Sequence, residues 1–249
     1  LKHLGYIALF VIFATACQFE KPSTHHSYSS QQRIDSTLAS SSDAEVLIGS
    51  YKHQLDAKMN TVIGYADTIL SNEGKYGESS LGNFVADLML YQARKLVKDT
   101  VHLAVINARG GLRVPINQGD ITVGEIFELM PFDNEMLIIQ IKGDELMEVF
   151  HHSAKRGVNV FSDARFVVRN NLADSIRLQG TIIYKDSIYN VAISDYLANG
   201  GGGFDFLMDN PQTELNIKLR DMILLHIKEL TKTRKKVYAR RDGRIKYID

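Results

Sequence analysis

Helical and strand-like apolar patterns alternate along this sequence of 249 residues, which predicts an α+β domain with α/β-type layers, its mixed β-sheets packed against helices. Two observations carry that prediction. Apolar residues recur at three- and four-residue spacing over several long stretches, as on one face of a helix. Between them lie short β-prone runs, some joined by long crossovers and others by hairpin-length turns. That combination needs parallel and antiparallel strand neighbours in the same domain.

The elements follow in order. Val46, Leu47, Tyr51, Leu55 and Met59 predict a first helix from about residue 43, and residues 61–70 alternate as a strand does. A helix opens near Ser80, with Leu81, Phe84, Val85, Leu88 and Leu96 toward its buried face, and residues 101–106 form an apolar strand. Thr122 and Glu125 have capping-box spacing, so a short helix runs to Met130, where Pro131 breaks it ahead of a strand over 136–142. A helix over 144–155 precedes strands near 165–169, 175–178, 181–185 and 189–194. Residues 213–230 are expected as the last amphipathic helix, with edge strands over 237–247.

Composition narrows the partners. Lys plus Arg and Asp plus Glu total 29 each, for a net charge of zero, so the overall charge favours neither nucleic acid nor an anionic membrane surface. The basic run 232–236, with Arg240 and Arg241, is expected as a solvated helix end and strand edge. The single cysteine permits no internal disulfide, leaving the core to hold the fold. At the start, Lys2-His3, an apolar run over 4–13 and Ala14-Thr15-Ala16-Cys17 have the layout of a bacterial lipoprotein leader. The run is too short to span a bilayer comfortably. Residues 1–17 are therefore expected as a signal with Cys17 as lipid acceptor, 18–42 as a Ser/Thr/Gln-rich tether, and 43–249 as one domain in the cell envelope.

The run Asn107-Ala108-Arg109-Gly110-Gly111-Leu112-Arg113 stands at the end of an apolar strand, where α/β proteins commonly bind ligands. Glycines let the backbone approach a ligand, and two guanidinium forks suit an anionic oxygen cluster, so a phosphate-reading loop is expected here. No Gly-x-Ser-x-Gly elbow or Walker loop accompanies it. Adjacent His151 and His152 on a helix diverge by about 100°, unlike an i, i+4 metal pair.

Four segments follow one another: Glu78-Ser79-Ser80-Leu81-Gly82-Asn83, the Gly110-Gly111-Leu112-Arg113 loop, Pro131-Phe132-Asp133-Asn134, and Tyr196-Leu197-Ala198-Asn199-Gly200-Gly201-Gly202-Gly203. In this order they resemble the C-terminal, substrate-binding domain of the 5'-nucleotidase/UDP-sugar hydrolase family, from about Val62 onward. The resemblance implies that Arg109 and Arg113 bind substrate, with Lys142 a weaker cationic match, that Phe161 and Tyr196 sandwich the base, and that Asp163 meets its edge. Gly201 would lie in the substrate loop, and Asn134 is expected to stabilise its turn more than to touch ligand. Base stacking on an aromatic ring is worth roughly 1–3 kcal/mol.

Two departures qualify the resemblance. The Asp-x-His, Gly-Asn-His-Asp/Glu and Gly-His-x-His segments of the family's metallophosphoesterase domain are absent from this sequence. No catalytic residue, metal site or cofactor is therefore expected in this chain, and divalent metals are expected on a separately encoded metallophosphoesterase partner. The family loop's Asp is replaced by Gly202, and losing a charged acceptor for ribose hydroxyls forfeits roughly 1.5–3 kcal/mol. Two functions follow: the nucleotide-recognition half of a 5'-nucleotidase-type hydrolase in the envelope, or a non-enzymatic nucleotide-binding or interaction lipoprotein.

Overall fold

A computed structural model describes residues 33–35, 37–73 and 77–248. The leader, Cys17 and the tether as far as residue 32 lie outside these residues. Residues 48–249 form one compact unit, which carries the folded domain.

Its centre is a five-stranded mixed sheet. In chain order the elements are α1 (Ser42–Met59), β1 (Val62–Ala66), α2 (Ser80–Leu96), β2 (Leu103–Asn107), the single turn α3 (Ala108–Gly111), β3 (Gly119–Thr122) and α4 (Val123–Leu129). There follow β4 (Glu135–Lys142), α5 (Gly143–Arg156), β5 (Asn159–Phe161), β6 (Ala164–Arg169), β7 (Leu172–Leu178) and β8 (Ile188–Ser194). The turn α6 (Asp195–Ala198), β9 (Gln212–Lys218), α7 (Leu219–Lys232) and β10 (Ile245–Tyr247) complete the domain. The large sheet has the order β5-β2-β8-β4-β9, beside a β10-β6-β7 sheet and a β1-β3 pair.

Strand alternation divides the core in two. Ala104, Ile106, Met136, Ile138 and Ala192 face one buried cluster, built with α2, α4 and α7. Leu103, Val105, Leu137, Ile139, Val191 and Ile193 face the other, built with α5 and the three-stranded sheet. Successive side chains of a strand point to opposite faces, so a sheet covered on both sides requires continuous apolar runs such as residues 103–106 and 136–139.

Strand direction then fixes where loops gather. β2 and β8 are parallel, so Asn107 and Ser194 end at one edge of the sheet. β4 runs antiparallel to β8, which brings its start to that edge, and β9 runs antiparallel to β4, which brings its end there. Four consecutive neighbours thus deliver Asn107, Asn134, Ser194 and Leu219 to one rim.

Most expected elements form. The Thr122–Glu125 capping box is present, and α4 stops at Leu129, just before Pro131. Two expectations are corrected. Residues 213–230 are not one helix: 212–218 form β9, paired with β4, and the helix starts at Leu219. Leu215 and Ile217 alternate with polar neighbours, and pairing with β4 satisfies that period of two. Residues 181–185 are not a strand. They pass over the start of α5, where the carbonyls of Lys185 and Ser187 accept from the amides of Asp144 and Gly143. A Cβ on Gly143 would collide with the Tyr184 carbonyl, so only glycine allows this close crossing. Helix α1 forms, yet Val46, Leu47, Tyr51 and Leu55 are exposed rather than packed, as is Leu96.

The Glu78-to-Asn83 segment ties the chain's end to α2. Buried Glu78 accepts from the amides of Asp242 (2.7 Å) and Gly243 (3.0 Å), and from Asn83 Nδ2 (3.1 Å), which also donates to the Arg240 carbonyl. Arg244, buried beside it, donates to both oxygens of Asp87 and to Asp242, and these partners hold its guanidinium charged despite burial.

Two histidines give the fold a pH dependence. Burial pushes His102 and His226 below the ordinary imidazole value. His102 Nδ1 also accepts from the Asn190 amide at 3.0 Å, which requires the nitrogen to be unprotonated. The unfolded chain therefore binds more protons than the folded one just below about pH 6.5, so stability drops as the pH is lowered through that window. Asp133, Glu229 and Asp242 also sit below their ordinary values, so their contribution is lost only in the more acid carboxylate range. Denaturant titration should give a lower unfolding midpoint at about pH 5.5 than at about pH 7.5, with a smaller difference in His102→Gln.

Candidate functional site

The rim where four strands end encloses a cavity of about 690 Å3, lined by Ile106, Asn107, Gly110, Gly111 and Met130 to Asn134, with Ser194, Tyr196 and Leu219. That volume suits a small organic ligand.

Each wall has a local cause. Asn107 caps the turn α3 by accepting from the Gly110 amide at 2.8 Å. Asn72 Nδ2 donates to the carbonyls of Ala108 and Leu112, at 2.9 and 2.8 Å, which fixes the turn from outside. The Arg113 amide donates to the Leu129 carbonyl, and its guanidinium lies 5.9 Å from the centre of the Phe132 ring. Arg109 is exposed on the same turn. The glycine-arginine run therefore borders the cavity, with Gly110 and Gly111 in its wall.

The facing wall is Tyr196, half exposed at the start of α6. Its hydroxyl accepts from the Gly202 amide at 3.1 Å, and its ring lies against Gly201, where an added Cβ would stand 2.5 and 2.6 Å from ring carbons. The Gly202 carbonyl accepts from His152 Nε2 at 2.9 Å, a contact that requires the proton on that nitrogen. His152 in turn packs on Phe204. The glycine loop is thus fastened at Gly202 from both sides and lies against the Tyr196 ring.

The two walls are joined. Asn134 Nδ2 donates to Asp195 Oδ1 at 2.7 Å, and the Tyr196 amide donates to the same oxygen at 2.6 Å. Asn134 acts between loops, at the back of the cavity. Behind Phe132, Asp133 is paired with Lys218 at 3.0 Å and Arg220 at 2.6 Å, and hydrogen bonds from Lys218 and then Arg220 hold its carboxyl below the usual range.

Three expected site residues stand elsewhere. Phe161 is fully buried, stacked on Phe150 with ring centres 4.4 Å apart, and has no face for a base. Asp163, at φ +50°, pairs with Arg94 at 2.9 Å beside a different concavity. Lys142 closes the far end of β4, eight residues from Asn134 and so roughly 25 Å away at the strand rise. The second aromatic wall is Phe132, whose exposed ring in the Pro-Phe turn was the available sequence signal. Arg220 and His152 were legible only as helix residues.

Another concavity, of about 550 Å3, is lined by Asp87, Asp163, Asp242, Arg165, Arg177 and Arg244. Its carboxylates are already engaged, Asp87 and Asp242 by Arg244 and Asp163 by Arg94, so it offers little unspent chemistry. Among the described residues no three His, Cys, Asp or Glu side chains are grouped to hold a metal ion. His152 spends its Nε2 on the Gly202 carbonyl.

Residues 62–209 match the model of the family described as 5'-nucleotidase, C-terminal domain. A trifunctional nucleotide phosphoesterase of Bacillus subtilis is 26% identical over 86% of this chain and 16% of its own length. The 5'-nucleotidase of Rattus norvegicus is 26% identical over 99% of this chain and 46% of its own. A crystal structure of the 5'-nucleotidase precursor from Thermus thermophilus superposes with a TM-score of 0.71 at 26% identity, over 83% of this chain and 43% of that one. The chain spans less than half the length of each of these proteins.

Gly201→Ala tests how the Tyr196 wall is held. The new methyl meets the Tyr196 carbonyl as well as its ring, so loop backbone and ring must both shift, and affinity for whatever ring-bearing ligand the cavity takes should fall about tenfold or more, roughly 1.4 kcal/mol. The melting point should fall modestly, because the strained backbone lies on a surface loop rather than in either core cluster. Retained affinity with a retained melting point would show that Tyr196 does not need this support.

Proposed function

Since the chain belongs to the 5'-nucleotidase C-terminal domain family, we propose that its cavity recognises a nucleoside or nucleotide, with the base between Phe132 and Tyr196 and the phosphate toward Arg113 and Arg109. The observation that carries this reading is that two exposed aromatic rings, Phe132 and Tyr196, line one cavity, with the Arg113 guanidinium beside the first of them. Rings accept any base by its face, and the guanidinium fork suits phosphate oxygens. Toward sugar hydroxyls, Asp133 is paired with Lys218 and Arg220 and Gly202 has no side chain, whereas Asp195 spends only its Oδ1 on Asn134 and the Tyr196 amide. Base and phosphate are the main points of recognition in this reading.

Chemistry would come from a second component. The described residues present no cluster suited to the divalent metals that activate water in two-metal hydrolysis. We assign this chain the substrate-holding role and give water activation to a separately encoded metallophosphoesterase, the two together dephosphorylating nucleotides in the cell envelope. A lipid at Cys17 would hold the domain at a membrane surface and raise its effective concentration toward a co-anchored partner.

Calorimetric titration with AMP and adenosine tests recognition. Phe132→Ala and Tyr196→Ala should each weaken both ligands by roughly 1–3 kcal/mol, whereas Phe161→Leu should act on stability and leave affinity alone. Arg113→Ala should weaken AMP more than adenosine, and equal losses would mean collapse of the loop instead of a lost phosphate contact. Affinity capture of the full chain from native envelopes tests the division of labour. Recovery of a metallophosphoesterase, with metal-dependent AMP hydrolysis that neither component shows alone, is the expected result. A chain that binds nucleotide but is recovered without a partner would leave a capture protein in place of a hydrolase half.

A further inference from the structure

The turn that carries Phe132 has little ladder of its own. Pro131 lacks an amide proton, and Met130 to Asn134 lie between the end of α4 and the start of β4. What reaches this turn from behind is Arg220, the second residue of α7, only 8% exposed. Its Nη2 donates to Asp133 Oδ1 at 2.6 Å, and its Nη1 donates to the carbonyls of Met130 and Phe132 at 3.4 Å. The guanidinium plane is backed by the Phe127 ring, 4.3 Å from its centre.

One feature separates this arginine from an ordinary buried ion pair. Its Nε is buried and finds no hydrogen-bond partner. A buried cation is costly, and an apolar side chain of similar volume would fill the space with less desolvation. The side chain is thus oriented by what it holds, at the expense of one of its own donors. It grips three of the four residues from Met130 to Asp133: Met130, Phe132 itself and Asp133. A lysine, with one point charge and no fork, cannot span the carbonyls and the carboxylate together.

We infer that Arg220 is the positioning residue for the Phe132 ring: it clamps the turn from behind and so sets the gap between the cavity's two aromatic walls. The Asn134–Asp195 bond fixes the opposite end of the same turn to the Tyr196 side. With the two rings flanking one ligand, walls held at both ends favour a flat unsaturated ring over a bulky saturated one. That consequence for ligand class rests on the nucleoside reading, whereas the clamp itself does not.

The chain contains no tryptophan, so Phe132→Trp places a single fluorescent reporter on the wall in question. In that background, Arg220→Met, Arg220→Lys and Asp133→Asn should each speed the anisotropy decay of the indole and raise its quenching by acrylamide, Met most. Arg244→Met, which breaks a buried ion pair far from the turn, should lower the melting point without freeing the indole. Adenosine affinity of Arg220→Met in the otherwise native chain should fall about tenfold. An indole equally immobile in folded Arg220→Met and Arg220→Lys would overturn the inference. Should Arg220→Met not fold, an unchanged indole in Arg220→Lys and Asp133→Asn would overturn it equally. A freed indole in a chain that binds no adenosine would support the clamp and count against the nucleoside reading alone.

Discussion

The pairing of β4 with β8 underlies everything at the rim. Their register runs unbroken from Met136 opposite Ser194 to Lys142 opposite Ile188. It holds Asn134 and Asp195, one residue beyond those ends on β8 and two on β4, close enough to hydrogen-bond. A slip of one residue would turn Leu137, Ile139 and Ile141 from one core cluster to the other and separate the Phe132 and Tyr196 loops. Because both faces of the sheet are covered, such a slip is penalised on both sides, and the cavity inherits its precision from that penalty.

Polar and apolar groups divide the work at the cavity. Asn134, Asp195, Asp133, Arg220 and His152 spend their hydrogen bonds on one another and on backbone, so they set shape and leave little charge for ligand. Phe132 and Tyr196 supply the contact surface, and exposed Arg113 supplies a cation at its border. Preorganised rings lower the entropy that binding must overcome, which matters for a small ligand with few anchoring groups. Gly201 belongs to the same scheme, since its missing Cβ is the space into which the Tyr196 ring packs.

Local signals in the sequence were legible where one physical cause dominated. The apolar runs over 103–106 and 136–139 announce strands buried on two faces, and Thr122 with Glu125 announces a helix start. Residues 213–218 were harder, because Leu215, Ile217 and Leu219 continue into a helical pattern and only pairing with β4 decides for a strand. Phe161 and Phe132 are alike by residue type; packing against Phe150 and Phe166 buries the first, and a proline turn leaves the second exposed. Arg220 gave no signal as a clamp, since an arginine within a helix expected over 213–230 ordinarily reads as solvated. Its partners lie 87 to 90 residues away along the chain, a separation no local pattern reports.

A crystal structure of the domain soaked with AMP would show whether a base sits between Phe132 and Tyr196. The expected electron density has the purine stacked between those two rings, with the phosphate within hydrogen-bond reach of Arg113. AMP bound in the concavity between Arg165 and Arg244, or bound at the rim with neither ring in contact with the base, would contradict it.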